Sequence, residues 1–291
     1  MSDHNDNHFA KDNTSLLLSK KTKEFEAQNY VTAERQRHLA FGSILMYMFG
    51  ESSRVFNVSN RIPLNDLLNL LHDYKIDHSE DAHQMIKRLS HSSYFTSVAK
   101  EIYTYFIEPG KLMPVSLGDL PDSIEGLQSS WEISLQETIP TMEQYAQSNP
   151  GADQEDVTFI WHVYAQKFMV QIINRCLNAY KENMRFFDNH NVFNAQDLDN
   201  IKDFSAYDLG RVAYICKINV HLGYLEEEEA WEHIELAAKT ASERYDSWRQ
   251  YFSAYIMGRA LSVGKSSTDL EHAIKFLLEH PESPIRPFSF K

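Results

Sequence analysis

Apolar residues recur along this chain at spacings of three and four, and no run alternates polar and apolar between hairpin turn residues. That period belongs to the α-helix, whose residues three and four apart share a face, and not to a half-buried strand. The expected fold class is therefore all-α: a multi-helix globular bundle, built as one body or as two packed helical halves.

The pattern divides the chain. Residues 1–25 carry His, Asn, Asp and Lys with little apolar periodicity and are expected to form a flexible tail. Residues 26–107 form an N-terminal helical part. Its segments run through Leu39, Ile44, Met46 and Met48, through Leu64, Leu67, Leu68 and Leu71 after Pro63, through Met85, Ile86 and Leu89, and through Val98, Ile102, Tyr105 and Phe106. Residues 108–153 collect Pro109, Gly110, Pro114, Gly118, Pro121, Gly126, Pro140, Pro150 and Gly151 around Trp131 and read as a connecting region. Residues 154–291 form a C-terminal helical part, led by a long helix from Val157 to about Phe187 with Ile160, Val163, Tyr164, Phe168, Ile172, Cys176 and Tyr180 on one stripe.

Charge and cysteine use exclude several classes of function. The chain has 28 Lys and Arg against 41 Asp and Glu, a net charge of −13 that repels a phosphate backbone, and no basic patch offsets it. Nucleic acid is not an expected partner. Cys176 and Cys216, the two cysteines, lie in apolar helical patterns and suit a reducing compartment, so the expected location is the cytoplasm. The polar start at Met1–His8 lacks the features of a secretory signal. Leu39 to Phe49, the most apolar stretch, falls short of the ~20 residues that a membrane span requires.

Residues 206–261 carry the most information. They read as three helices joined by two tight turns, with Gly223 ending the first and Glu226–Glu229 opening the second, where negative charge suits the exposed N–H groups. Four consecutive acids fan around a helix at ~100° per residue and do not converge on one ion. The histidines His72, His78, His83 and His91 are six, five and eight residues apart, not one turn. No metal and no cofactor is expected. The second helix sets Ala230, Trp231, Ile234, Ala237, Ala238 and Ala241 against Glu232, Glu235, Lys239 and Glu243.

In the third helix Trp248, Phe252, Tyr255 and Arg259 share one face, which places a guanidinium among aromatic rings. A buried charge needs a partner, and Asp208 on the first helix is the expected carboxylate, with cation–π contact to Trp248 or Tyr255 supplying the rest. The expected site is thus a partly buried network of Asp208, Arg211 and Arg259 bordered by Trp248 and Tyr255. It serves either as a clamp fixing how three helices cross or as a pocket for a small anionic ligand. The candidate binding residues are Asp208, Arg211, Trp231, Trp248, Tyr255 and Arg259.

The same residues resemble the bacterial domain-of-unknown-function family 1266. The matches are Asp208, Gly210 and Arg211; Gly223, Tyr224, Glu229, Ala230 and Trp231; and Ser247, Trp248, Tyr251, Gly258 and Arg259, with Met257 where the family tends to have Leu. The match covers about a fifth of the chain. Upstream, where such proteins tend to carry Trp-Gly-Ile before an acidic helix start, this chain has Tyr74-Lys75-Ile76 followed by Asp77, Ser79, Glu80 and Asp81. The resemblance implies a bacterial intracellular protein and assigns no catalytic role. No phosphate loop, metalloprotease motif, nucleophile elbow or paired-cysteine motif is present. The expected function is a non-enzymatic protein-interaction module of the regulatory or toxin-neutralising kind. The alternative is an enzyme or binder acting on an anionic ligand at the Asp/Arg/aromatic pocket.

Overall fold

The computed structural model describes residues 12–110, 114–120, 154–189, 203–266 and 268–291, with the side chains of 154–165, 188–189 and 268 excepted. Twelve α-helices stand among them: α1 (Thr14–Leu17), α2 (Lys20–Asn29), α3 (Ala33–Ala40), α4 (Ser43–Met48), α5 (Leu64–Asp73), α6 (Ser79–Ser90), α7 (Phe95–Ile102), α8 (Gln154–Asn189), α9 (Ala206–His221), α10 (Glu227–Arg244), α11 (Trp248–Val263) and α12 (Glu271–Glu279). Among the described residues there is no strand, and extended pairing is limited to an isolated bridge between Tyr30 and Val55. The all-α expectation holds. Most of the connecting region, including Trp131, and the side chains of the stripe residues Ile160, Val163 and Tyr164 lie outside what is described.

Helix α9 is the axis of the molecule. Every residue from Ala206 to Asn219 is buried, because α4, α6, α7, α10 and α11 all pack on it. Its apolar residues face every side, which drives the helix into the interior, and Asp208, Arg211, Lys217 and Asn219 are carried in with them. Leu209, Val212, Cys216 and Ile218 enter an apolar cluster that takes residues from Leu39 near one end to Phe290 near the other. Close helix approach comes from small residues. Helix α10 lays Ala230, Ala237, Ala238 and Ala241 against its neighbours. On α9 a Cβ at Gly210 would stand 2.8 Å from the Tyr255 ring, and on α11 one at Gly258 would stand 2.7 Å from the Phe204 carbonyl oxygen. The two glycines set the distance at which α9 and α11 cross.

Helix ends follow the sequence signals. Ser247 caps α11 by accepting the Gln250 N–H, and Thr32 caps α3 by accepting that of Arg35. Gly223, just beyond α9, takes φ 75°, the left-handed turn that glycine adopts without a Cβ penalty. The acids Glu227, Glu228 and Glu229 fill the first turn of α10. The sequence and the structure part at the N-terminus: within residues 1–25, expected to form a tail, lie α1 and the first six residues of α2. Ser19 caps α2, while Asn13 donates to the carbonyls of Tyr47 and Met48.

Candidate functional site

The expected network of Asp208, Arg211 and Arg259 does not form. Its members sit near one another and each engages a different element. Asp208 points from α9 to the start of α7, where its carboxylate accepts the backbone N–H groups of Tyr94 (3.3 Å), Phe95 (2.9 Å) and Thr96 (3.0 Å) and the Thr96 hydroxyl (2.7 Å). It is a helix cap supplied from another helix, meeting the donors and the positive dipole end that the first turn leaves open. Burial pushes its carboxyl pKa up, the four donors pull it back, and the net direction is up.

Arg211 lies in an aromatic cage. Its guanidinium carbon stands 3.5 Å from the centroid of the Tyr207 ring, 5.2 Å from Phe95, 5.8 Å from Tyr255 and 5.9 Å from Tyr74. It donates to the hydroxyls of Tyr207 and Tyr255 and to the Tyr207 carbonyl, while Nε has no partner. Among the described residues no carboxylate forms a salt bridge with it. The cation–π contact expected at Arg259 is therefore made by Arg211.

Arg259 turns the other way, to the segment before α12. A bidentate pair to Asp269, 2.6 Å at each oxygen, and a 2.7 Å bond to the Ser266 carbonyl fix it there. Two parallel N–H···O bonds are the strongest geometry open to this pair. Arg259 consequently holds the turn that leads from α11 into α12.

The two tryptophans are anchors as well. Trp248 packs between Phe41 (4.8 Å) and Phe290 (5.0 Å) and donates from Nε1 to the Phe288 carbonyl, pinning the C-terminal segment. Trp231 stacks near Phe56 (4.8 Å), receives Arg35 over its ring at 4.4 Å and donates to Glu227. Tyr255 serves Arg211 and packs on Tyr207 at 5.2 Å. The six residues thus close helix junctions. A shallow groove of about 450 Å³ lies apart from them, lined by Gln171, Asn174, Arg175, Asn178, Ala179, Glu182 and Gly264.

A second buried polar group lies where sequence reasoning did not look. Lys217, fully buried on α9, reaches Glu51 Oε2 at 3.4 Å and the Ser52 carbonyl at 3.2 Å. Glu51 also accepts the Ser59 N–H and hydroxyl. Burial lowers the Lys217 pKa, and the Glu51 charge opposes that shift. The signal in the sequence was a lone lysine between Cys216 and Ile218 in an apolar run.

Among the described residues no group of three His, Cys, Asp or Glu side chains could hold a metal ion, and no helix is long and apolar enough to cross a membrane. His83 pairs with Glu229 at 3.1 Å and links α6 to α10. His233 meets the Ser90 hydroxyl at 3.2 Å.

A multi-helix protein with a buried central helix, whose buried charges are each engaged by other protein groups, is the class that these features define. The family described as "Protein of unknown function (DUF1266)" matches residues 69–290, and the chain belongs to it. No curated protein and no solved structure matches the chain.

Proposed function

We propose that the chain is a non-enzymatic protein-interaction module, regulatory or toxin-neutralising in kind, which receives a basic partner on the outer face of α10. One observation carries this reading. Helix α10 turns its alanines inward and leaves Glu228, Glu232, Glu235 and Glu243 exposed around Leu236, an exposed large apolar side chain, and none of these four acids forms a salt bridge among the described residues. An apolar anchor on a face with four exposed acids and one exposed lysine, Lys239, suits a partner with a pocket bordered mainly by Lys or Arg. The net charge of −13 strengthens attraction to such a partner over distance. Residence in the bacterial cytoplasm, implied by the resemblance and the cysteines, is part of the same proposal. The anionic-ligand alternative finds less support, since Asp208 and Arg259 are already engaged by protein groups.

The test compares affinity capture by wild type, by Leu236→Ser and by the charge reversal Glu232→Lys/Glu235→Lys/Glu243→Lys, over a salt series. Basic proteins retained by wild type, released by rising salt and lost from both variants are the expected result. An identical captured set from all three chains would remove α10 as the contact face.

A further inference from the structure

Three histidines gather where α6 meets α10. His83 belongs to α6 and His233 to α10, and His91 directly follows the last turn of α6. On α10 Glu229, His233 and Leu236 are spaced by four and three, so they share one stripe of the helix. The apolar anchor of the acidic face thus has an imidazole one turn before it and a carboxylate two turns before it.

Hydrogen-bond roles fix where the protons sit. His83 Nδ1 stands 2.6 Å from the Ser79 carbonyl oxygen, and its Nε2 stands 3.1 Å from Glu229 Oε2. A carbonyl and a carboxylate only accept, so both ring nitrogens donate and the ring is an imidazolium. The His83 pKa is accordingly raised, first by the Ser79 bond and then by Glu229 and Glu80, against the effect of burial. The side chains of His83 and Glu229 are 40 % and 35 % exposed, so this pair exchanges protons with water directly.

His233 has the opposite arrangement. The Ser90 hydroxyl donates to the Lys87 carbonyl at 3.1 Å, so its oxygen accepts from His233 Nδ1 at 3.2 Å. One ring proton satisfies that bond, and Nε2 is left to take a second. Burial lowers the His233 pKa, His91 and His83 of α6 add to that, and Glu229 and Glu232 of its own helix oppose it. Two further helices pack on α10. Arg35 and His38 of α3 face Trp231 and Glu235, and Lys217 of α9 is turned to Glu51.

One charged imidazole therefore covers Glu229, and one neutral imidazole stands between Glu229 and Leu236. Acid adds a cation to the stripe at His233. Alkali removes the one at His83 and bares Glu229. Both steps change the charge of the face in the same sense, at the short range where Coulomb energy is largest. Ordinary carboxylates and ammonium groups hold their charge between pH 5.5 and 7.5, so imidazoles are the groups that switch there.

We propose that His83 and His233 make the α10 face a pH-controlled docking surface, which binds a basic partner tightly at neutral pH and weakly in mild acid. The inference rests on the reading of α10 as the contact face and adds what regulates it.

The test titrates the full chain with a labelled amphipathic peptide of lysine and leucine, at pH 7.5 and 5.5 and constant ionic strength. The variants are Leu236→Ser, His83→Gln and the pair His83→Gln/His233→Asn. Wild-type binding should weaken by roughly threefold or more at pH 5.5, the size expected of exposed charge pairs, and most of that change should vanish in the paired variant. His83→Gln alone uncovers Glu229 and should bind more tightly than wild type at pH 7.5. Wild type gives an independent readout through the imidazole proton resonances: by linkage, saturating peptide should move the titrations of His83 and His233 to lower pH. Full pH dependence in the paired variant, or imidazole titrations that the peptide does not move, would overturn the inference and leave α10 as the contact face. If Leu236→Ser binds the peptide as wild type does at pH 7.5, α10 is not that face, and both readings fall.

Discussion

Asp208 and Arg211 stand three residues apart on α9 and both meet Phe95: the carboxylate accepts its backbone N–H as part of the cap on α7, while the guanidinium lies 5.2 Å from its ring and stacks on Tyr207. Both charges are buried, Asp208 compensated by backbone and hydroxyl donors and Arg211 by aromatic faces and tyrosine hydroxyls. Substitutions at the two positions should therefore act by different physical routes, coupled through Phe95.

At Asp208 the route is hydrogen bonding. Asp208→Ala leaves the N–H groups of Tyr94, Phe95 and Thr96 without their acceptor, at a cost of about 2–4 kcal/mol by analogy with lost caps and buried unsatisfied donors. Asp208→Asn keeps one acceptor oxygen and turns an amide N–H₂ toward those same donors, so it should fall between Ala and wild type. Urea unfolding gives the magnitude. Hydrogen exchange at residues 94–98 locates it, since loss of the cap frays α7 first. Wild-type stability in the Asn variant would show that the carboxylate charge contributes nothing.

At Arg211 the route is stacking. A planar, weakly hydrated guanidinium lies over aromatic faces at far lower desolvation cost than a compact ammonium. Arg211→Lys should consequently be more destabilising than Arg211→Met, by about 2 kcal/mol, because methionine fills the cage without burying a charge that lacks a carboxylate partner. Equilibrium unfolding of both variants checks the order. A lysine variant as stable as the methionine one would mean that the cage admits water.

The sequence made some of this legible and hid the rest for definite reasons. Helix period, the Ser247 cap, the Gly223 turn and the acidic start of α10 are local signals, and each is realised. Partner choice is not local. Asp208 is satisfied by backbone N–H groups more than a hundred residues away, and backbone groups leave no mark in a sequence. Arg259 chose Asp269 over Asp208 because Asp269 lies in the segment on which α11 ends, within bidentate reach. Helix α1 and the start of α2 carry little apolar periodicity, since α1 buries no residue whole and α2 buries Thr22 and Glu26.

Gly258 offers a test of the α9–α11 crossing. The atoms that an added Cβ would meet are the Phe204 carbonyl oxygen at 2.7 Å and Tyr207 Cβ at 2.8 Å, neither of which can swing away as the tip of a long side chain can. Alanine gains about 1 kcal/mol of helix propensity over glycine, yet overpacking of this kind costs up to ~3 kcal/mol, so Gly258→Ala should be net destabilising. A lowered Tm with unchanged helix content is the expected result. A raised Tm would show that the helices separate without cost.

His83 should make stability depend on pH. Its pKa is raised above 6.5, first by its bond to the Ser79 carbonyl and then by the charge and hydrogen bond of Glu229, with Glu80 adding to the effect. A group whose folded pKa exceeds its unfolded value stabilises fully below the unfolded pKa, and the gain is lost as pH rises through the folded one. His233, lowered by burial and also facing Glu229, runs in the opposite direction on the same helix junction. Comparing wild type with His83→Gln isolates the first. The Tm difference should be larger at pH 5.5 than at pH 8.5, and a difference independent of pH would show that the α6–α10 contact does not use the charge.

The Lys217–Glu51 pair should behave as a unit. Lys217→Met alone leaves the buried Glu51 carboxylate with Ser59 as its sole remaining donor residue, and breaking one side of such a pair costs about 3–5 kcal/mol. Glu51→Gln alone leaves the ammonium with the Ser52 carbonyl and a neutral amide, a similar loss. In the double variant neither charge is buried, and much of the cost should return. A double-mutant cycle in urea measures that coupling, expected at 2 kcal/mol or more, on the order seen for contacting charged groups. Additive losses would mean that Lys217 is held by the Ser52 carbonyl and the surrounding packing, with the carboxylate adding little.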